Sequence, residues 1–394
     1  MEQTDVHTKN KIKILIVHNN YGTYSGEEAV VDNMLKTYKS LGYKVDQYRE
    51  STCKIQDSLH GKIRAFFGGI FPSIFIKKFS AKLQEFNPSI VHIHNLYPFI
   101  GPAILKECKM RKIQVIMSVH NYRLICPTGL CLRNNLPCES CTTKQKELSC
   151  IRYNCEKSIF KSVGYALRNM VARKRRYYLK YVDKYCCLTN FQRSKLISSG
   201  FDSDKIIVIP NSIKSAKFHS QKQGSYIGYC GRLSPEKGID LILKVARSLP
   251  HIEFKFAGSP RPDYQIKNPP KNCEFLGHIA GENLKDFFTN SKFMVMASVC
   301  WEGFPMAILE AINFGKCVLA PSHGSFKEIC ENEGKKLGEL FESNNADDLE
   351  KKILLLSNNP SLISEYCENG EQAIAQKYSD KVIENQWKTL IENL

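Results

Sequence analysis

Two glutamates separated by seven residues, Glu302 and Glu310, stand in Trp-Glu-Gly-Phe-Pro-Met-Ala-Ile-Leu-Glu (301–310). Upstream lies Gly-Arg-Leu-Ser-Pro-Glu-Lys-Gly (231–238). Gly303 and Pro305 read as a helix start, because proline at the first helical position loses only an amide with no intrahelical partner. The amides of Phe304, Met306 and Ala307 would then face an anion, as helix N-termini commonly do. Arg232 and Lys237 add a planar fork and a point charge, a pair suited to a diphosphate. Glu302 before the helix and Glu310 inside it can accept hydrogen bonds from two different hydroxylated groups. Cations and amides for phosphate beside acids for hydroxyls describe a site for a nucleotide sugar.

These side chains need elements to carry them. Strand-like runs alternate with longer amphipathic segments along the chain, which predicts parallel sheets in an α/β fold. The first half reads as strands at 12–18, 44–48, 90–94, 114–119, 185–188 and 206–209. The second half reads as strands at 226–229, 253–256, 273–276, 293–297 and 317–320. Each set makes one doubly wound sheet, and ligands bind at the carboxyl ends of such strands. A chain of 394 residues exceeds one ordinary core, so two domains are expected. The join falls near Pro210-Asn211-Ser212, giving 1–209 and 210–376. A closing helix over 377–394 has Val382, Trp387, Leu390 and Ile391 roughly on one face.

An apolar share of 43% with 24% charged residues is ordinary for a globular protein. The first ten residues are polar and carry no signal-peptide core, and no run is long enough to span a bilayer. The expectation is a cytoplasmic protein. Charge is uneven: residues 1–215 hold 35 Lys+Arg against 16 Asp+Glu, while 216–394 hold 21 against 23. A basic half suggests an anionic surface as partner. Two stretches mix cations with aromatics as bilayer-interface segments do, Lys62–Lys78 and Arg168–Lys184.

The combination of 231–238 with 301–310 resembles the family 4 retaining glycosyltransferases of the GT-B fold, over nearly the whole chain. The resemblance implies two Rossmann-like domains facing a central cleft, with the last helix crossing back onto the first domain. It assigns the donor diphosphate to Arg232 and Lys237, the sugar to Glu302, and the ribose hydroxyls to Glu310. His120, just beyond a strand's carboxyl end, falls where that family places a histidine on the transferred sugar. In His18–Glu28 the family usually has Gly-Gly; here Ser25 replaces the first, leaving Gly26 as the residue that lets backbone approach phosphate. His92 and His94 alternate on the preceding strand, and His94 would line the acceptor side.

Six of the sixteen cysteines fall between 126 and 155. Cys138-Glu-Ser-Cys141 has the gap of a zinc hairpin, and Cys126 and Cys155 could close a four-thiolate structural site; buried thiols without metal are the other reading. The family resemblance extends to a subgroup carrying such an insert after His-Asn-Tyr-Arg. The expected activity is retaining transfer from a nucleotide-diphosphate sugar, without catalytic metal, to a saccharide or polyprenyl-diphosphate-linked acceptor in cell-surface polysaccharide synthesis. The alternatives are a basic zinc-containing nucleic-acid-binding protein and a GT-B-type sugar-nucleotide epimerase. The first leaves Arg232, Lys237, Glu302 and Glu310 unexplained, and nucleic acid is not an expected partner.

Overall fold

The computed structural model describes residues 12–21, 25–51, 73–142, 146–215 and 224–394. The chain divides into two compact units: Met1–Gly129 with Glu139–Ile209 and Glu384–Leu394, and Leu130–Cys138 with Pro210–Ile383.

The first unit is built on the apolar run that opens it. β1 (Lys13–Asn20) is buried along six consecutive residues, which requires cover on both faces. α1 (Gly26–Ser40) follows, then β2 (Lys44–Ser51), α2 (Ser73–Phe86), β3 (Ile90–Asn95), α3 (Ile104–Met110) and β4 (Gln114–Val119). A cysteine-rich excursion carries α4 (Leu148–Arg152) and leads into α5 (Ile159–Lys174) and α6 (Tyr177–Tyr181). β5 (Lys184–Cys187), α7 (Asn190–Ser198) and β6 (Ile206–Val208) complete it. The six strands pair in parallel in the order β2-β1-β3-β4-β5-β6, with Ile14 set between Val45 and Ile90. The order reverses between β1 and β3, so their carboxyl ends diverge around a crevice.

The second unit repeats the plan. It contains β7 (Tyr226–Cys230), α8 (Ile239–Ser248), β8 (Phe254–Ala257), β9 (Cys273–Gly277), α9 (Glu282–Asn290) and β10 (Ser291–Val295). Next come α10 (Met306–Asn313), β11 (Val318–Pro321), α11 (Gly324–Cys330), β12 (Gly338–Phe341), α12 (Ala346–Ser357) and α13 (Pro360–Ala373). The sheet runs β9-β8-β7-β10-β11-β12, all parallel, and reverses between β7 and β10. Ile239, Ile242, Leu243 and Ala246 of α8 pack on Ile227, Tyr229 and Phe254. β12 is the strand that patterning missed: it is four residues long and contains Gly338 and Glu339. A Cβ at Gly338 would lie 2.1 Å from the Val318 carbonyl oxygen. Glu339 tolerates burial because Lys352 and Tyr366 each donate to it at 2.7 Å.

The last helix, α14 (Asp380–Glu392), buries Ile383, Trp387 and Ile391. Its seam therefore runs through Ile383 instead of the expected Val382, since residues four apart share a helix face. Within the first unit the Trp387 ring lies 6.0 Å from Tyr38 and 5.0 Å from His92.

Of the two expected interfacial stretches, 62–72 lies outside the described residues. The second keeps Arg173, Lys174, Arg175 and Arg176 exposed but turns part of its aromatic and basic content inward. Arg168 is buried with its guanidinium 4.0 Å from the Tyr97 ring centre and 4.4 Å from that of Tyr165, and Tyr177 and Tyr178 are buried. No helix among the described residues is long and apolar enough to cross a membrane.

Candidate active site

In the second unit the predicted residues lie where the strand order reverses. β7 ends at Cys230, and Arg232 follows after Gly231. A short 3₁₀ turn, Pro235–Lys237, then presents Lys237 before Gly238 opens α8 in a left-handed conformation (φ 71°). Only glycine fits there, because a Cβ would approach the Ala297 carbonyl oxygen to 1.9 Å. The Val299 amide donates to the Glu236 carbonyl at 3.0 Å and locks this turn to the loop after β10. Lys237 Nζ consequently donates to Glu302 Oε1 at 2.5 Å, and Ser298 Oγ donates to the same oxygen at 2.8 Å. Burial works against both charges, but each partner more than offsets it: Glu302 sits below the usual carboxylate range and Lys237 above the usual lysine value.

Arg232 is held differently. Its guanidinium donates to Glu236 Oε1 at 2.9 Å while Arg261 donates to Oε2 at 3.0 Å. Glu236 is buried and Arg232 is exposed, so an interior carboxylate aims a surface cation. Backbone bonds register Arg261 beside the motif: Leu233 N donates to Ser259 O and Arg261 N to Leu233 O, at 3.0 and 2.9 Å. His323 Nε2 lies 3.0 Å from the Ser298 carbonyl oxygen, and Ser325 Oγ donates to the Glu302 carbonyl at 2.9 Å.

α10 starts at Met306, with Pro305 at the cap position rather than inside the helix, one residue later than expected. No side chain caps this end, so the turn keeps its positive pole for a ligand. Phe304 is buried, its ring 5.8 Å from that of Tyr378, which anchors the turn. Glu310 is half-buried on the first turns of α10, and burial raises its pKa. Such an acid gains from a hydroxyl donor.

In the first unit the carboxyl ends of β1, β3 and β4 gather His18, His94 and His120. His94 Nδ1 and His120 Nε2 are 2.8 Å apart with stacked rings. His92 lies beneath, its ring 4.2 Å from His94, bonded to Ser118 Oγ at 2.8 Å and Tyr38 at 2.9 Å. Desolvation lowers all four pKa values: His18 and His92 to about 3, and His120 to about 4, with His94 well below its usual value. These imidazoles are therefore neutral at physiological pH. His94, Asn95, Tyr97, His120, Asn121 and Arg123 line a pocket here.

Gly26 begins α1, and a Cβ on it would meet nothing within 4 Å, so packing does not demand glycine. The Ser25 amide is committed as a donor, giving a 2.7 Å bond to Glu28 Oε2, and the Ser25 hydroxyl accepts from Glu28 N. Glu27, one residue past Gly26, is 12% exposed and takes a 3.0 Å bond from Tyr21. Burial pushes its carboxyl up to about 7, against the attraction of Arg123.

The expected metal set is not assembled. The free thiols of Cys126 and Cys141 are hydrogen-bonded to each other, as are those of Cys150 and Cys155. Cys150 is fully buried on α4, and the Cys138 amide donates to the Cys131 carbonyl in a small ribbon. Among the described residues no group of three or more His, Cys, Asp or Glu is arranged to hold a metal ion.

The family "Glycosyltransferase Family 4" matches residues 24–217, and "Glycosyl transferases group 1" matches 211–373. The chain belongs to the glycosyltransferases. Alpha-galactosylglucosyldiacylglycerol synthase of Streptococcus pneumoniae is 25% identical over 50% of this glycosyltransferase and 57% of its own length. Poly(ribitol-phosphate) alpha-N-acetylglucosaminyltransferase of Staphylococcus aureus is 28% identical over 52% and 43%. The match thus spans about half the length of these curated relatives. The crystal structure of Anabaena HepE with UDP and glucose covers 97% of this chain and 100% of its own, at 14% identity and a TM-score of 0.66. That likeness concerns the fold, which is GT-B.

Glu236, Arg261, Ser298 and His323 escaped the sequence reading. Glu236 lies inside the motif 231–238. His323 follows β11 as His120 follows β4, a strand-end signal that could have found it.

Proposed function

We propose that this glycosyltransferase is a retaining enzyme that moves a sugar from a nucleotide-diphosphate donor to a saccharide or lipid-linked saccharide, in cell-surface polysaccharide assembly at the cytoplasmic side of a membrane. One observation carries the reading: Lys237 and Arg232 are each fixed by a carboxylate, beside the uncapped start of α10. The leaving diphosphate develops the largest charge of the reaction, and preorganised donors stabilise it without reorganising. In this scheme Arg232, Lys237 and the α10 amides grip the diphosphate. Glu302 accepts from a sugar hydroxyl and Glu310 from the ribose. His120, neutral and bonded to His94, is a hydrogen-bonding group for the sugar; Gly26 lets backbone near the phosphates. The leaving phosphate oxygen takes the acceptor proton on the front face, which calls for no protein nucleophile. The named activities of the two bacterial relatives support a cell-surface acceptor, and HepE, solved with UDP, supports a nucleotide donor.

The test is a thermal-shift screen of UDP-, GDP-, ADP- and dTDP-sugars, in which one class should add about 2.7 kcal/mol at hundredfold excess over its Kd. Stabilisation by none removes the donor reading. Product anomers inverted relative to the donor remove the retaining assignment.

A further inference from the structure

The segment joining the cysteine pairs to α5 presents an unusual surface. Between 146 and 161 the exposed cations are Lys146, Arg152, Lys157 and Lys161. Interleaved with them, Leu148, Ile159 and Phe160 are 61%, 48% and 80% exposed. Tyr153 and Asn154 complete the exposed set, and no acid belongs to it. The two acids of the segment are withdrawn. Glu147 is buried and receives both Nε and a terminal nitrogen of Arg173, at 2.8 and 2.9 Å. Glu156 is half-buried, and desolvation raises its pKa.

The apolar residues are held outward by a braced loop. Ser162 Oγ donates to Asn154 Oδ1 at 3.0 Å and accepts from Glu156 N at 3.1 Å. Cys155 N donates to the Cys150 carbonyl at 3.2 Å, with Cys150 fully buried beneath.

From this arrangement we infer that residues 146–161 dock the protein on an anionic lipid bilayer, with Phe160, Ile159 and Leu148 entering the headgroup boundary and the four cations on lipid phosphates. Composition selects lipid over a protein partner. Protein interface cores are depleted in lysine, whereas apolar side chains ringed by Lys and Arg match a charged headgroup layer over acyl chains. The inference goes beyond the transferase reading and stands without it, since it needs neither donor nor acceptor.

The test is co-flotation of the full chain with vesicles of phosphatidylglycerol and phosphatidylcholine, against phosphatidylcholine alone, at low and high salt. Wild type should bind the anionic vesicles at low salt and lose most binding at high salt. Phe160→Asp with Ile159→Asp should weaken binding at least tenfold with an unchanged unfolding midpoint, both residues being exposed. Lys157→Glu with Lys161→Glu, a surface charge change, should weaken it tenfold or more and decides the matter if the first variant misfolds. Equal binding to neutral vesicles, or variants that float like wild type, overturn the inference. So does a wild-type dimer that Phe160→Asp splits, which would make this face a contact between copies. A nucleotide-sugar thermal shift on the same samples reports the donor site separately.

Discussion

Arg232 and Glu236, four residues apart, meet at 2.9 Å with the cation at the surface and the carboxylate inside, and Arg261 takes the other carboxylate oxygen at 3.0 Å. Glu236 therefore positions Arg232, and in the proposed scheme it positions the diphosphate grip. Glu236→Gln keeps the shape but removes the charge that two guanidinium groups share. Because Arg232 is half exposed, water screens that bond, and a stability loss of only about 1 kcal/mol is expected. The larger effect should be on the donor, with kcat/KM down roughly tenfold or more. A urea midpoint and donor kinetics check both, and unchanged kinetics would remove the role.

Lys237→Ala and Arg232→Ala should each slow turnover by about a hundredfold or more, the range for losing one preorganised donor to developing charge. Lys237→Ala also leaves Glu302 buried without its cation, so its stability should fall further than that of Arg232→Ala. Equal stability losses in the two variants would count against the pairing described.

The histidine column predicts acid sensitivity. His18 and His92 have folded pKa values of about 3 and His120 of about 4, while an unfolded histidine titrates near 6.5. Below the unfolded pKa the unfolded chain binds more protons, so stability is complete above about pH 6.5 and drains away toward pH 4. A urea series from pH 7.5 to 4.5 should show losses of several kcal/mol. A flat profile would contradict neutral burial.

Glu27 has the opposite sign. Its folded pKa of about 7 exceeds the ordinary glutamate value of 4.5, so the folded state holds the extra proton between those limits. Its contribution is favourable at low pH and fades as pH rises toward 7. Glu27→Gln should therefore stabilise the protein more at pH 8 than at pH 5, measured as the difference in thermal midpoint.

Two glycines separate folding from function. Gly238→Ala places a methyl 1.9 Å from a carbonyl oxygen at φ 71°, and soluble yield should collapse. Gly26→Ala has open space and should fold with a midpoint within about 0.5 kcal/mol of wild type. If the backbone at Gly26 meets phosphate, the same variant should still raise the donor KM.

Most of the architecture was legible because parallel strands buried on both faces are written as apolar runs. All eleven expected strands agree with observed ones to within a residue or two at their starts, whereas β12 was hidden by Gly338 and by a glutamate whose burial depends on Lys352 and Tyr366. The turn at 231–238 was legible as a local unit, since its glycines and cations lie close together in sequence. Glu236 and Arg261 were not, because nothing local says that a carboxylate will be buried against a cation 25 residues away in sequence. Arg168 misled in the same way: a cation read as surface charge was paid for by two tyrosine rings. The cysteine spacing at 138–141 pointed to a metal hairpin, but among the described residues no group of three or more ligands is arranged to hold a metal ion.

Trp387 seals the face of the first sheet where Tyr38 and His92 lie. On the ribosome, that face stays open until translation has passed residue 387, well after Ile209 has emerged. At ordinary elongation rates the wait is on the order of ten to forty seconds. Over that interval the nascent sheet, with Tyr38 and His92 uncovered, is exposed to aggregation.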